Sequence, residues 1–106
     1  MGPEVAVRPR RISDTLPKVD DDGARSTRRI PVEADVRFLH PYTSIGVTVD
    51  ANETGMRVVV DEPLHPGDRC VAVVQLADGE ETHERAEVVW VRRTSRGWMM
   101  GLRFMA

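Results

Sequence analysis

Arg25-Ser26-Thr27-Arg28-Arg29-Ile30-Pro31-Val32-Glu33-Ala34-Asp35-Val36-Arg37-Phe38 is where the chain changes character. From Val32 onward, Val32, Ala34, Val36 and Phe38 alternate with Glu33, Asp35 and Arg37. A strand places successive side chains on opposite faces, so this period of two predicts a strand running to His40, with the apolar set toward a core. Pro31 suits the first position of such a strand, where no ladder donor is needed. Upstream, residues 1–24 have scattered apolar residues without period, prolines that include Pro9 and Pro17, and the acidic run Asp20-Asp21-Asp22-Gly23. That composition reads as a flexible arm. We therefore expect an arm over residues 1–24 and a folded domain over residues 25–106.

Beyond His40 the same reading repeats. His40-Pro41-Tyr42-Thr43-Ser44 is a turn, and Ile45, Val47 and Val49 give a second alternating run, whose apolar side is expected to face the core. The polar segment Asp50-Ala51-Asn52-Glu53-Thr54-Gly55 cannot continue it, and its glycine suits a turn. Met56 to Val60 resumes as a strand. After a loop with Pro66-Gly67, Arg69 to Ala77 is nearly all apolar, as for a strand covered on both faces. Asp78-Gly79 has favoured hairpin chemistry. Thr82 to Arg93 and Trp98 to Phe104 complete about six short strands, and no segment shows a helical period. A chain this small removes its sheet edges most simply by closing, so the expected fold is all-β, a six-stranded antiparallel barrel.

Composition narrows the function. The chain has 106 residues, enough for one small domain with a modest core. Its net charge is −2 and its pI about 5.9, which argues against a binder of nucleic-acid polymers, since these need a basic face. An oligonucleotide-binding barrel would also want more than the 5% aromatic residues present. Cys70 is the only cysteine, so neither an internal disulfide nor a cysteine metal site can form. No apolar run reaches membrane-spanning length, and a soluble cytoplasmic protein is expected. His40, His65 and His83 are dispersed, and no serine has a neighbouring base. Glu80, Glu81, Glu84 and Glu87 read as a solvated, charged hairpin edge, and Trp90 and Trp98 as core. Cys70, at the start of an apolar strand, reads as a buried, inert thiol. An enzyme is not expected.

The arginines carry the chemistry. Arg25 and Arg29 stand four apart just before a strand, with Arg28 beside them. Guanidinium groups grip phosphate bidentately, pair with guanine O6 and N7, and stack on its face. The Asp50 carboxylate is suited to accept from guanine N1–H and N2–H, which adenine does not offer. Asn52 can donate and accept, and Gly55 allows close backbone approach. Together these point to a guanine nucleotide.

Arg25-x-x-x-Arg29 before Ile30-Pro31-Val32, and then Asp50-x-Asn52-x-x-Gly55, resemble the paired signature of PilZ domains. Gly55-Met56-Arg57-Val58, Pro63-Leu64-x-Pro66-Gly67, Val88-Val89-Trp90 and Gly101-Leu102-Arg103-Phe104 are similar to its later landmarks, so the resemblance spans about Arg25 to Ala106. It implies a six-stranded antiparallel barrel and the bacterial second messenger cyclic di-GMP as ligand. It further implies that Arg25 and Arg29 contact guanine and phosphate with Arg28 as a basic neighbour, that Asp50 and Asn52 hold the base edge, and that Gly55 shapes the turn. Ordering of the arm would then signal to an effector protein. The chain departs from the family at Asn52, where serine is usual, and at Ala24, where a longer or basic residue can influence ligand stoichiometry. The alternative is a PilZ-like adaptor that binds no nucleotide and acts through protein contacts, for example in pilus or motility control.

Overall fold

The computed structural model of this chain describes Ile12 and residues 30–105. Six strands form a closed barrel: β1 (Ile30–His40), β2 (Ser44–Ala51), β3 (Gly55–Val60), β4 (Arg69–Gln75), β5 (Glu81–Thr94) and β6 (Gly97–Phe104). Around the wall the order is β1-β2-β3-β6-β5-β4, and β4 returns to β1. Every neighbouring pair is antiparallel. Closure leaves no row of unpaired strand groups, as a barrel of this size requires. Among the described residues, no helix is long and apolar enough to cross a membrane.

Alternation fills the interior as β1 predicts. Val36 and Phe38 are buried, and Val32 and Ala34 pack against the same core. Residues 33, 35 and 37 face outward. In β4, Cys70, Ala72, Val73 and Val74 are all buried, in line with its nearly continuous apolar run. The β4–β5 hairpin turns at Gly79, whose φ of +88° lies in the left-handed region that glycine enters without strain. Strands β3 and β4 stand on opposite sides of the wall, so the loop between them must cross one barrel end. Leu64, in that loop, is buried in the core, and its N–H lies 3.3 Å from Met100 Sδ.

Three outcomes differ from the pattern reading. First, β2 is inverted. Ser44, Thr48 and Asp50 are buried, while Ile45, Val47 and Val49 are exposed. The inward hydroxyl of Ser44 is satisfied by donating to the Glu62 carbonyl at 2.7 Å, so the interior tolerates it. Second, Glu84 is not part of a solvated edge. It alternates inward with Thr82, Ala86 and Val88, and it is fully buried. Its carboxylate accepts a hydrogen bond from the Ile12 backbone N–H at 2.6 Å. Ile12 itself is fully buried in the same apolar cluster as Phe38, Met56 and Leu102. Third, the two tryptophans part company. A register shift between Val88 and Trp90 turns Trp90 onto the outer wall over Gly101, where a Cβ would strike the indole ring. Trp98 packs against the core.

Cys70 is buried, and burial pushes its thiol up to about 11, with the Asp68 carboxylate adding in the same direction. A raised value means a protonated thiol at neutral pH, and the thiolate is the nucleophile. Native protein should therefore react with an aromatic disulfide reagent on the order of a hundredfold more slowly than urea-unfolded protein at the same pH. Equal rates in the two states would contradict the buried placement.

Candidate functional site

The end of β2 carries a register irregularity between Thr48 and Asp50. Thr48 therefore faces the core, while Asp50 lies opposite Arg57 of β3. Arg57 Nε donates to both carboxylate oxygens of Asp50, at 3.0 and 2.9 Å, and Arg57 Nη2 donates to Oδ2. Asp50 is buried, whereas about a third of the Arg57 side chain reaches solvent. The hydrogen bond to Asp50 raises Arg57 above the ordinary guanidinium value, so the guanidinium stays charged throughout the working pH range. A forked, partly buried pair of this kind fixes the carboxylate's orientation more firmly than an exposed one would.

The next four residues form a closed turn. Asn52 Oδ1 accepts from the Thr54 N–H at 2.9 Å, the Thr54 hydroxyl at 2.9 Å and the Gly55 N–H at 3.0 Å. The Asn52 N–H donates to the Gly55 carbonyl at 2.9 Å. The Phe104 N–H donates to the Thr54 carbonyl at 2.8 Å, tying the turn to β6. An asparagine oxygen reaches these donors two and three residues ahead, the usual local role of this side chain. At Gly55 the backbone lies directly against β6. A Cβ there would sit inside contact distance of the Leu102 carbonyl oxygen and 3.3 Å from Arg103 Cα.

Beside this turn the chain enters the barrel. Ile30 pairs with Ala51, and Pro31 pairs with Asp50. On the other side of Arg57, across the outer wall, lies Gly101 with Trp90 over it. The Arg92 guanidinium stands 5.1 Å from the centre of the Trp90 ring, close enough for a cation–π contact.

Asp50, Asn52 and Gly55 thus share one corner of the molecule, while Arg25, Arg28 and Arg29 lie outside the described residues. Pattern reading overlooked Arg57 as a partner of Asp50. Hairpin arithmetic offers the signal: when Ala51 pairs with Met56 across a four-residue turn, Asp50 must pair with Arg57. His40, His65 and His83 are exposed. Among the described residues, no cluster of three histidine, cysteine or acidic side chains could hold a metal ion.

A family model described as the PilZ domain matches residues 24–106. No curated protein matches the chain. Among solved structures, the chain is similar to the Bacillus subtilis inhibitor of motility (MotI/DgrA), with TM-score 0.67 and 15% identity over 78% of this chain and 44% of that one. This chain therefore spans less than half of that protein's length. It is also similar to the PilZ domain of YcgR from Escherichia coli, whose structure holds c-di-GMP, with TM-score 0.61 and 16% identity over 76% and 79% of the two chains. At these identities the likeness establishes the barrel.

Proposed function

Because the chain belongs to the PilZ domain family, a family of cyclic di-GMP receptors, we propose that it binds cyclic di-GMP between the Arg25–Arg29 segment and the Asp50–Gly55 turn. Ordering of that segment by ligand then changes the surface offered to an effector protein. The observation that carries this reading is the pairing of Ile30 with Ala51 and of Pro31 with Asp50. The residue covalently joined to Ile30 is Arg29, so the arginine run leads straight to the acidic turn.

In this reading Arg25 and Arg29 take phosphate oxygens and the guanine Hoogsteen edge, and Arg28 adds positive charge. Asp50 accepts from guanine N1–H and N2–H, either sharing its carboxylate with Arg57 or releasing Arg57 toward a phosphate. Asn52 and Gly55 keep the turn rigid, so the acidic wall is preorganised and the cost of ordering falls on the arginine segment. The division at residue 25 belongs to the same proposal, with the barrel as receptor and the preceding residues as an arm anchored in its core at Ile12. The protein is a receptor in this account, and no step of bond making is assigned to it.

Calorimetric titration tests the assignment. Wild-type protein should bind cyclic di-GMP in preference to cyclic di-AMP and GTP. Arg25→Ala and Arg29→Ala should each weaken binding by about 2–5 kcal/mol, because a desolvated ligand charge is left unpaired. Wild-type affinity in both variants would remove the arginines from the site.

One observation favours the adaptor reading. The Asn52 side-chain oxygen is committed to three donors inside its own turn and is not turned toward a ligand. A wild-type chain that shows no heat with cyclic di-GMP, while remaining folded, would select that reading.

A further inference from the structure

The inverted strand β2 leaves Ile45, Val47 and Val49 on the outer wall, at 58, 41 and 37% exposure. Isolated exposed aliphatics are ordinary, but three in a row on one strand make a stripe. Two shallow cavities of about 690 and 470 Å³ meet at Val47. Their rims carry Glu33, Asp35 and Asp61, three carboxylates against the exposed Arg96 at the edge of the larger one. These three carboxylates are exposed and make no ion pair with any described residue. The nearby Arg37 is neutralised by Glu81, with Nη1 2.8 Å from Oε2. The stripe begins at the start of β2 and runs along the strand to Val49, next to the Asp50–Gly55 turn.

We propose that this face of β1 and β2 is a docking surface for a basic amphipathic helix of a partner protein. The closed barrel offers no free strand edge, so a partner cannot add a strand and must dock through side chains. Three residues at alternate strand positions span roughly 13–14 Å. A helix rises 1.5 Å per residue, so about nine residues cover the stripe, with apolar side chains one turn apart. Lysines or arginines flanking them meet Glu33, Asp35 and Asp61, and such pairing sets register and encounter rate.

The other possible occupants fit less well. A second copy using the same face would set these carboxylates against themselves across a two-fold axis. Of the chain's own residues, 13–24 hold four aspartates against one lysine and only Leu16, Pro17, Val19 and Ala24 as apolar residues. Residues 25–29 hold no apolar residue, and in 1–11 Pro3 and Pro9 leave no nine-residue helix around the basic Arg8, Arg10 and Arg11. The inference goes beyond the nucleotide reading and stands without it, because the surface is formed in the barrel alone.

The test is NMR amide-shift mapping on the full chain, first without nucleotide, using a synthetic leucine/lysine amphipathic helix of about fourteen residues. A scrambled peptide of the same composition and a leucine/glutamate helix serve as controls. The expected result is saturable binding of the basic helix, with shifts centred on residues 35, 45, 47, 49 and 61. Ile45→Thr with Val47→Thr should weaken it about tenfold or more, since the apolar contact is lost while β-branched side chains are kept. Asp35→Asn with Asp61→Asn should weaken it and flatten its salt dependence. Equal binding of the scrambled or acidic peptide, shifts centred elsewhere, or indifference to the threonine pair would each overturn the proposal. So would a wild-type dimer in light scattering that the threonine pair makes monomeric, because the occupant would then be a second copy.

Discussion

Gly55→Ala is expected to destabilise the barrel by about 3 kcal/mol or more, lowering its melting temperature by roughly 12–24 °C. The added methyl would collide with the Leu102 carbonyl oxygen and stand 3.0 Å from the Leu102 carbonyl carbon. Both atoms belong to the backbone of β6, which is hydrogen-bonded to β3 on one side and β5 on the other. A flexible side chain could swing away, but this backbone moves only by opening the sheet. Gly79→Ala is the control. Gly79 has a positive φ but nothing within 4 Å of an added Cβ, so its cost should be only about 1 kcal/mol. Thermal denaturation of the two variants separates blocked space from backbone conformation. A Gly55→Ala protein as stable as Gly79→Ala would mean that the turn does not lie against β6 as described. The comparison also matters for the proposed ligand site, since a folded Gly55 variant that had lost nucleotide binding would assign the glycine to the ligand instead of the scaffold.

The six strands and their turns were legible because alternation and turn chemistry agree along most of the chain, whereas the order β1-β2-β3-β6-β5-β4 around the wall was not. Val32 to Phe38 fixed the inward face of β1, and Asp78-Gly79 fixed a hairpin. What alternation could not supply was phase. Ile45, Val47 and Val49 alternate as regularly as the residues of β1, yet they face outward, because a period of two is the same whichever side is buried. Glu84 was hidden for a related reason. It sits among exposed glutamates in a charged segment, and nothing local distinguishes the one carboxylate that accepts a backbone N–H from far along the chain. At the candidate site, Asp50, Asn52 and Gly55 stood out by residue type, whereas Arg57 required the strand register. Trp90 needed the β5 irregularity as well, since strict alternation from Val88 would have buried it.

Ile12→Ala is expected to cost about 2–5 kcal/mol, a large effect for a residue in a stretch without apolar period. The side chain is fully buried within the same cluster as Phe38 and Leu102, so its removal leaves a cavity at the core. The Ile12 N–H also supplies a hydrogen bond to the buried Glu84 carboxylate, and a buried charge that loses such a partner is expensive. Alanine keeps the backbone N–H and should lose only the packing. A chain beginning at residue 25 loses both, so its stability should fall further than that of Ile12→Ala. The two contributions separate in a cycle. Glu84→Leu should destabilise the full-length chain, because it removes the acceptor of the Ile12 N–H and crowds the packed interior. In the shortened chain the same substitution should recover part of the loss, because the carboxylate there has no leader to answer it and Ile12 has vacated the space. Urea unfolding of the four proteins measures every corner. Equal stability of the full-length and shortened chains would mean that the barrel closes its core without the leader, and that the buried Ile12 adds nothing to the free energy of folding.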